Sequence, residues 1–119
     1  MQYLIYDVET PNSRNDSICA CAWMLHDGTN ELGFGYQLIN PQAHFDLVNM
    51  SIHGLCQDDV CNAPTFGEYW ENTLKELFAH STVVAHNASF DISVTTKALA
   101  TCRLEIPEIS YIDTVPVFR

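Results

Sequence analysis

The chain has 119 residues, of which 47% are apolar and 11% aromatic, and its 15 acidic and 5 basic side chains give a formal charge of −10. This length fits a single domain, and the apolar content is too high for a disordered chain. No apolar run approaches the roughly 20 residues of a membrane-spanning helix, and five basic side chains cannot form a stripe along a phosphate backbone. The composition therefore excludes a membrane protein and argues against tight binding of a duplex.

The N-terminus and the cysteines indicate the compartment. No basic segment precedes an apolar one at the start of the chain, so no signal peptide is predicted. We therefore expect a cytoplasmic protein whose five cysteines are reduced. Cys56 and Cys61 have no set of tetrahedral partners in the sequence, which argues against a zinc site.

The first predicted element is a strand from Tyr3 to Val8. It contains one carboxylate, Asp7, and a second, Glu9, follows directly after it. Alternate side chains of a strand point to the same face, so the two acids project side by side. Like charges this close favour a cation between them, and Mg²⁺ or Mn²⁺ prefers oxygen ligands. Acids that face water at a strand end before the turn at Pro11-Asn12 are the alternative, which this pair alone does not exclude.

Two further strands are predicted, from Ser17 to Leu25 and from Leu32 to Ile39. The turn signal Asp27-Gly28 lies between them and is typical of a hairpin. We expect the first three strands to form an antiparallel meander that ends at Asn40-Pro41.

Two helices should follow the meander. A short one is predicted from Phe45 to Met50, running into Ser51-Ile52-His53-Gly54, where His53 precedes a helix-ending glycine. Thr65 and Glu68 form a capping box, after which apolar residues at helical spacing continue to His80.

The last part of the chain repeats a strand-to-helix pattern. A buried strand is predicted from Thr82 to Ala85, and a helix from about Ser89 to Thr101. Asp91 falls in the first turn of that helix, where the helix dipole favours an anion. A fifth strand is predicted from Ser110 to Asp113.

Several of these segments, in this order, resemble the DEDD superfamily of 3′–5′ exonucleases, in the DEDDh-type branch that includes the proofreading epsilon subunit of bacterial DNA polymerase III. The matching segments are Asp7-x-Glu9-Thr10-Pro11-Asn12, Ile52-His53-Gly54-Leu55, Asp58-Asp59-Val60, Ala63-Pro64-Thr65-Phe66, His86-Asn87-x-x-Phe90-Asp91 and Asp113-Thr114 with Arg119. The resemblance covers nearly the whole chain. It implies an α/β, ribonuclease-H-like fold, in which a mixed five-stranded sheet places the meander beside two parallel strands and helices flank the sheet.

The resemblance also implies a chemistry, namely two-metal hydrolysis of phosphodiester bonds at the 3′ end of single-stranded DNA with Mg²⁺ or Mn²⁺. In the family pattern Asp7 bridges both ions, Glu9 binds one directly, and Asp91 acts mostly through a water. Thr10, His53, Asn87 and Phe90 are the corresponding substrate-binding residues. For His53, a helix end and a position beside the substrate cleft are compatible interpretations. We expect the substrate to be DNA rather than RNA, although the sequence leaves this choice open, and a DNA polymerase or a second copy of the chain is a possible partner.

One motif of the family is absent from the sequence. A late helix should carry a His as general base and an Asp as metal ligand, and these should lie beyond residue 119. We therefore expect residues 1–119 to be a single exonuclease-like domain that is C-terminally incomplete and weakly active. Without the late helix, the apolar surface beside the Asp7 strand should be uncovered in the monomer. We expect a homodimer to bury this surface, or else the chain to be poorly stable.

Two alternatives remain. A non-catalytic relative could keep the fold as a binding or polymerase-docking module, although such a module would not need Asp7, Glu9 and Asp91. A generic acidic α/β domain with accidental matches is the other, and the number of ordered matches argues against it.

Overall fold

Five strands form one mixed sheet in the computed structural model, which describes residues 1–115. The strands are β1 (Tyr3–Glu9), β2 (Ala20–His26), β3 (Glu31–Leu38), β4 (Thr82–Ala85) and β5 (Tyr111–Asp113). Their order in the sheet is β3-β2-β1-β4-β5. β2 is antiparallel to both β1 and β3, whereas β4 is parallel to both β1 and β5. The predicted meander, the two parallel strands and the ribonuclease-H-like arrangement are confirmed, with β1 at the centre.

The helices are α1 (Leu47–His53), α2 (Gln57–Val60), α3 (Phe66–Tyr69), α4 (Lys75–Ala79) and α5 (Ala88–Thr101). A π-helical turn, Trp70–Leu74, joins α3 to α4 into one continuous helical run, and the apolar spacing predicted the run but not this turn. The capping box at its start is confirmed, since the Glu68 N–H donates to Thr65 Oγ1 over 3.3 Å and the Thr65 N–H donates to Glu68 Oε1 over 3.0 Å. No helix within residues 1–115 has both the length and the apolar character needed to cross a bilayer.

The first helix differs from its predicted range of Phe45 to Met50. Phe45 belongs to a small buried cluster, and Asp46 has extended backbone with its N–H bonded to the Pro11 carbonyl over 2.8 Å. The helix therefore begins two residues later than predicted. It continues to His53 because Gly54 adopts a left-handed conformation (φ 75°), from which its N–H donates to the Met50 carbonyl.

One face of the sheet is buried against the helices. Alternate residues of β1 (Leu4, Tyr6 and Val8) point into this core. The Tyr6 ring packs edge-on against Phe78 with centroids 5.0 Å apart, and its hydroxyl lies 2.8 Å from Thr95 Oγ1. The remaining residues of β1, among them Asp7, therefore point to the opposite face.

An apolar row crosses that opposite face. The strand register aligns Ile5 of β1 with Met24 and Phe34 on one side, and with Val84 and Ile112 on the other. The exposed fraction is 73% for Phe34, 45% for Ile5 and 43% for Ile112. The described part of the chain thus leaves an apolar surface beside Asp7 uncovered; we call these five side chains the open-face row.

A close contact between β2 and β3 leads to a stability prediction. A Cβ added to Gly35 would lie 2.6 Å from Trp23 Nε1, and that nitrogen donates to the Tyr69 hydroxyl over 2.8 Å. We expect Gly35→Ala to lower the free energy of unfolding by about 1–3 kcal/mol, because the indole must shift in a packed core. Urea denaturation followed by tryptophan fluorescence measures the change.

Gly33→Ala is the matched control on the same face of the same strand. Its added Cβ would meet only Trp23 Cζ3 at 4.0 Å, an ordinary contact. Equal losses in the two variants would show that β3 needs glycine for its backbone rather than for the space under Trp23.

Candidate active site

The two carboxylates of β1 lie on the open face of the sheet at the carboxyl end of the central strand. Asp7 is exposed and Glu9 is partly buried. Partial burial raises the pKa of both carboxyl groups. The Asp7 charge raises the pKa of Glu9 further, whereas His53 lowers it. The pair thus lies on one face as its spacing predicts, and the charge of Asp7 disfavours ionisation of Glu9.

Asp91 joins them from α5. It is only 3% exposed, and its Oδ1 accepts the Val8 N–H over 3.2 Å. Val8 stands between Asp7 and Glu9 in β1, so this bond draws the third carboxylate to the same strand end. Burial is the main reason why the pKa of Asp91 rises to about 7; the Val8 N–H opposes the shift, and the charges of Asp7 and Glu9 add to it. Carboxylates from distant parts of the sequence therefore approach one another at the end of β1.

A groove of about 290 Å³ opens beside this cluster. It is lined by Asp7, Glu9, Ala20, Cys21, Ala22, Tyr36, Ile52, His53 and Leu55. Its wall thus comes from three strands of the meander together with α1 and the loop after it. Of the residues that the family resemblance assigned to substrate, His53 lines this groove.

His53 has a defined structural position. The Leu55 N–H donates to its Nδ1 over 3.0 Å, so Nε2 carries the proton of the neutral ring and donates to the Thr10 carbonyl over 3.0 Å. His53 therefore ties the end of α1 to the end of β1 and borders the groove at the same time. The structure supports the helix-end interpretation, and the position of His53 beside a substrate cleft stays a prediction.

Thr10 is buried and is hydrogen-bonded by Asn49, a residue outside the sequence motifs described above. Asn49 Nδ2 donates to the Thr10 carbonyl over 3.0 Å and lies 3.1 Å from its Oγ1. Asn49 and His53 are four residues apart and so share one face of α1. This spacing of two polar residues is the feature of the sequence from which a role for Asn49 beside His53 could be predicted. Thr10 thus fixes the strand end, and its hydroxyl is already engaged by Asn49.

Asn87 and Phe90 are not among the groove-lining residues. Asn87 is exposed in a left-handed conformation (φ 66°), and its N–H donates to Asp113 Oδ1 over 3.0 Å. Phe90 is half-buried against the main core, which makes it a packing residue of α5. The predicted Asp113-Thr114 segment therefore anchors the start of α5, with His86 Nδ1 also lying 3.0 Å from Thr114 Oγ1. Arg119, which the resemblance placed after this segment, lies outside the described residues.

The sequence also matches a family model, the exonuclease model RNase T, over residues 4–119. This match spans nearly the whole chain. The chain belongs to this exonuclease family of the DEDD superfamily.

Individual relatives agree with this exonuclease assignment. The chain is 29% identical over 121 residues to the DNA polymerase III PolC-type of Clostridium perfringens, a match covering 99% of the chain but 8% of that protein. It is similar in fold to exonuclease X in complex with 5′ overhanging duplex DNA (TM-score 0.71, 23% identity, covering 94% of this chain and 59% of that one). It is also similar to a zinc-bound complex of Escherichia coli exonuclease I with single-stranded DNA (TM-score 0.84, 16% identity, covering 98% and 28%). The exonuclease chain thus spans less than two thirds of the length of each of these relatives.

The donor set of the exonuclease site suits a hard divalent cation in type and charge. Its three carboxylates offer oxygen ligands, and no ion pair found within residues 1–115 involves any of them. Burial is the main cause of the raised pKa of Glu9 and Asp91, and a cation would relieve the repulsion between the carboxylates that adds to it. The set is incomplete, however, because no three or more His, Cys, Asp or Glu side chains in the described range converge closely enough to hold an ion together.

Proposed function

We propose that this exonuclease chain acts in 3′–5′ hydrolysis of single-stranded DNA through a two-metal mechanism. The observation that carries the proposal is the approach of Asp7, Glu9 and Asp91 to one another at the end of β1, where none of the ion pairs found within residues 1–115 involves them. Three acids held together at such a cost indicate a role for their charge, and cation-assisted phosphoryl chemistry is the one that the family assignment supports.

In this mechanism Asp7 and Glu9 would hold the divalent cations directly, and Asp91 would complete the site from the α5 side. Mg²⁺ or Mn²⁺ would supply a Lewis acid for the phosphate and for the attacking water. The chain's own contribution is orientation. The Val8 N–H holds the Asp91 carboxylate, while Asn49 and His53 hold the Thr10 carbonyl directly after Glu9.

The charge of the chain and the size of the groove support this choice of substrate. A chain of charge −10 cannot hold a long stretch of phosphate backbone, whereas a 3′ end needs few contacts. A groove of about 290 Å³ has the volume of a small ligand pocket and suits one nucleotide of an unpaired end. Exonuclease X and exonuclease I are similar in fold and were solved in complex with DNA, which supports DNA rather than RNA as the substrate. The PolC-type relative supports association with a DNA polymerase.

The open-face row supports a second proposal, about the extent of the domain. Five apolar side chains in one row form a surface that soluble monomers usually cover. We propose that a later segment of a longer chain covers it and brings the His and the Asp of the third motif to Asp7. A homodimer through this row, or a non-catalytic docking module, is the alternative.

Metal binding tests the site directly. We expect residues 1–119 to bind Mn²⁺ weakly, because two direct ligands and one water-mediated acid make an incomplete shell. Asp7→Ala should remove the binding heat measured by isothermal titration calorimetry. Asp58→Ala is the control, since it removes an equal charge from an exposed position on α2. Equal affinity in wild type and Asp7→Ala would contradict the proposed site.

A further inference from the structure

Tyr36 is an exposed aromatic residue on the open face of the sheet. It belongs to β3, and 62% of it is exposed. The register pairs Asp7 with Ala22 and Ala22 with Tyr36, so the three residues form one row across β1, β2 and β3 on the same face. Tyr36 therefore stands opposite the carboxylates, separated from them by a single strand.

The intervening strand leaves room for a ligand. Ala20 and Ala22 point to this face from β2, and their methyl groups form a low floor between two higher walls. Adjacent strands are about 4.8 Å apart, so the Cα atoms of Asp7 and Tyr36 are separated by about 10 Å. One wall of the groove thus carries negative charge, and the other presents an aromatic ring.

The charge of the chain restricts how a nucleic acid can be held here. Contacts of Lys and Arg with phosphates normally provide most of the affinity for a single strand, and this chain has only five such side chains. None of the nine residues that line the groove is Lys or Arg. Stacking of bases on aromatic side chains is the other main source of affinity, and it requires an unpaired base.

We propose that Tyr36 is a substrate-binding residue whose ring stacks on the base of the nucleotide whose phosphate lies at Asp7 and Glu9. This inference rests on the proposed function and deepens it by naming the group that selects an unpaired end. Because every base has an aromatic face, the site should accept all four bases. A base in a duplex keeps its own neighbours and cannot enter a groove of this width without being unpaired.

The test measures binding rather than turnover. The probe is a short single-stranded deoxynucleotide with 2-aminopurine at its 3′ end, titrated with the 119-residue chain in Mn²⁺. We expect Tyr36→Ala to raise Kd about 5-fold or more and to remove the quenching of 2-aminopurine that stacking causes. Tyr36→Phe should leave Kd within about 2-fold of wild type, since it keeps the ring.

Phe34→Ala is the matched control. Phe34 is an aromatic residue two positions away on the same face of β3, but it belongs to the open-face row and does not line the groove. It should leave Kd nearly unchanged. An equal effect of Phe34→Ala and Tyr36→Ala would overturn the inference, because it would reflect damage to β3.

The failure of the inference is distinguishable from failure of the proposed function. If wild type binds the probe and Asp7→Ala does not, while Tyr36→Ala binds normally, the stacking role is wrong and the metal site stands. If wild type does not bind the probe at any Mn²⁺ concentration, the proposed function is contradicted and the inference falls with it.

Discussion

Residues 1–119 should degrade single-stranded DNA several orders of magnitude more slowly than a form extended through a late helix that carries a His and an Asp. The described residues offer Asp7, Glu9 and Asp91, but none of them can act as the neutral general base that the family resemblance requires. His53 is the only histidine in the groove, and both of its ring nitrogens are already bonded to backbone groups. Residues of a catalytic site act as a unit, so losing the base together with one metal ligand costs far more than a single contact.

The measurement is a time course with a 5′-labelled single strand in Mg²⁺ or Mn²⁺, using both lengths of chain. Glu9→Ala in the extended form is the control, and it should abolish the activity. Rapid Mn²⁺-dependent degradation by the short chain, lost in its own Glu9→Ala variant, would mean that a residue within 1–119 replaces the third motif.

The same two proteins test whether the open-face row is covered in the extended form. A dye that binds apolar surface should then bind the short chain more strongly than the extended one.

Replacing Asp91 with asparagine should stabilise the metal-free protein at neutral and alkaline pH. Burial is the main cause that raises the pKa of Asp91 to about 7, far above the usual value of about 4 for an aspartate. The folded state therefore binds a proton that the unfolded state has released between these two pH values. The stability that this proton provides is complete below about pH 4 and is lost as the pH rises through 7. Asparagine has no charge to bury and can still accept the Val8 N–H.

We expect Asp91→Asn to exceed wild type in unfolding free energy by an amount that grows from pH 4 to pH 7 and then stays constant. At pH 8 the difference should be of the order of 4 kcal/mol, because each pKa unit between about 4 and about 7 corresponds to about 1.4 kcal/mol. Urea denaturation at several pH values, in the presence of a chelator, measures it. Asp58→Asn, which makes the same substitution at an exposed position of α2, is the control. An equal increase in unfolding free energy at pH 4 and pH 8 would contradict this prediction, because it would mean that ionisation of Asp91 does not destabilise the folded protein.

Taken together, the two experiments separate function from folding. Asp91→Asn should stabilise the fold while weakening the metal site, which is the relation expected where a protein keeps charges together for chemistry. A site that merely ended a strand would show neither effect.

The amino-acid sequence by itself determined the features that depend on neighbours along the chain. The spacing of Asp7 and Glu9 places both on one face of any strand, whatever surrounds it. The capping box of Thr65 and Glu68 is closed within four residues, and the left-handed Gly54 ends a helix locally. For this reason the five strands, their order along the chain and the carboxylate pair could be predicted, whereas α2 and the π-helical turn were not. The family assignment confirms the resemblance from which the fold was expected.

Tertiary structure decided what depends on contacts between distant segments. Helix α1 begins at Leu47 rather than at the predicted Phe45, because the Asp46 N–H donates to the carbonyl of Pro11, more than thirty residues earlier in the chain. Phe90, which the resemblance assigned to the substrate, is half-buried against the core, and this position depends on how α5 packs against the sheet. Tyr36 stands across from Asp7 only because two strand registers align them, and no local pattern encodes such an alignment. The raised pKa of Asp91 has the same origin, since burial and two charges from the other end of the chain act on it only after the sheet and α5 have packed together.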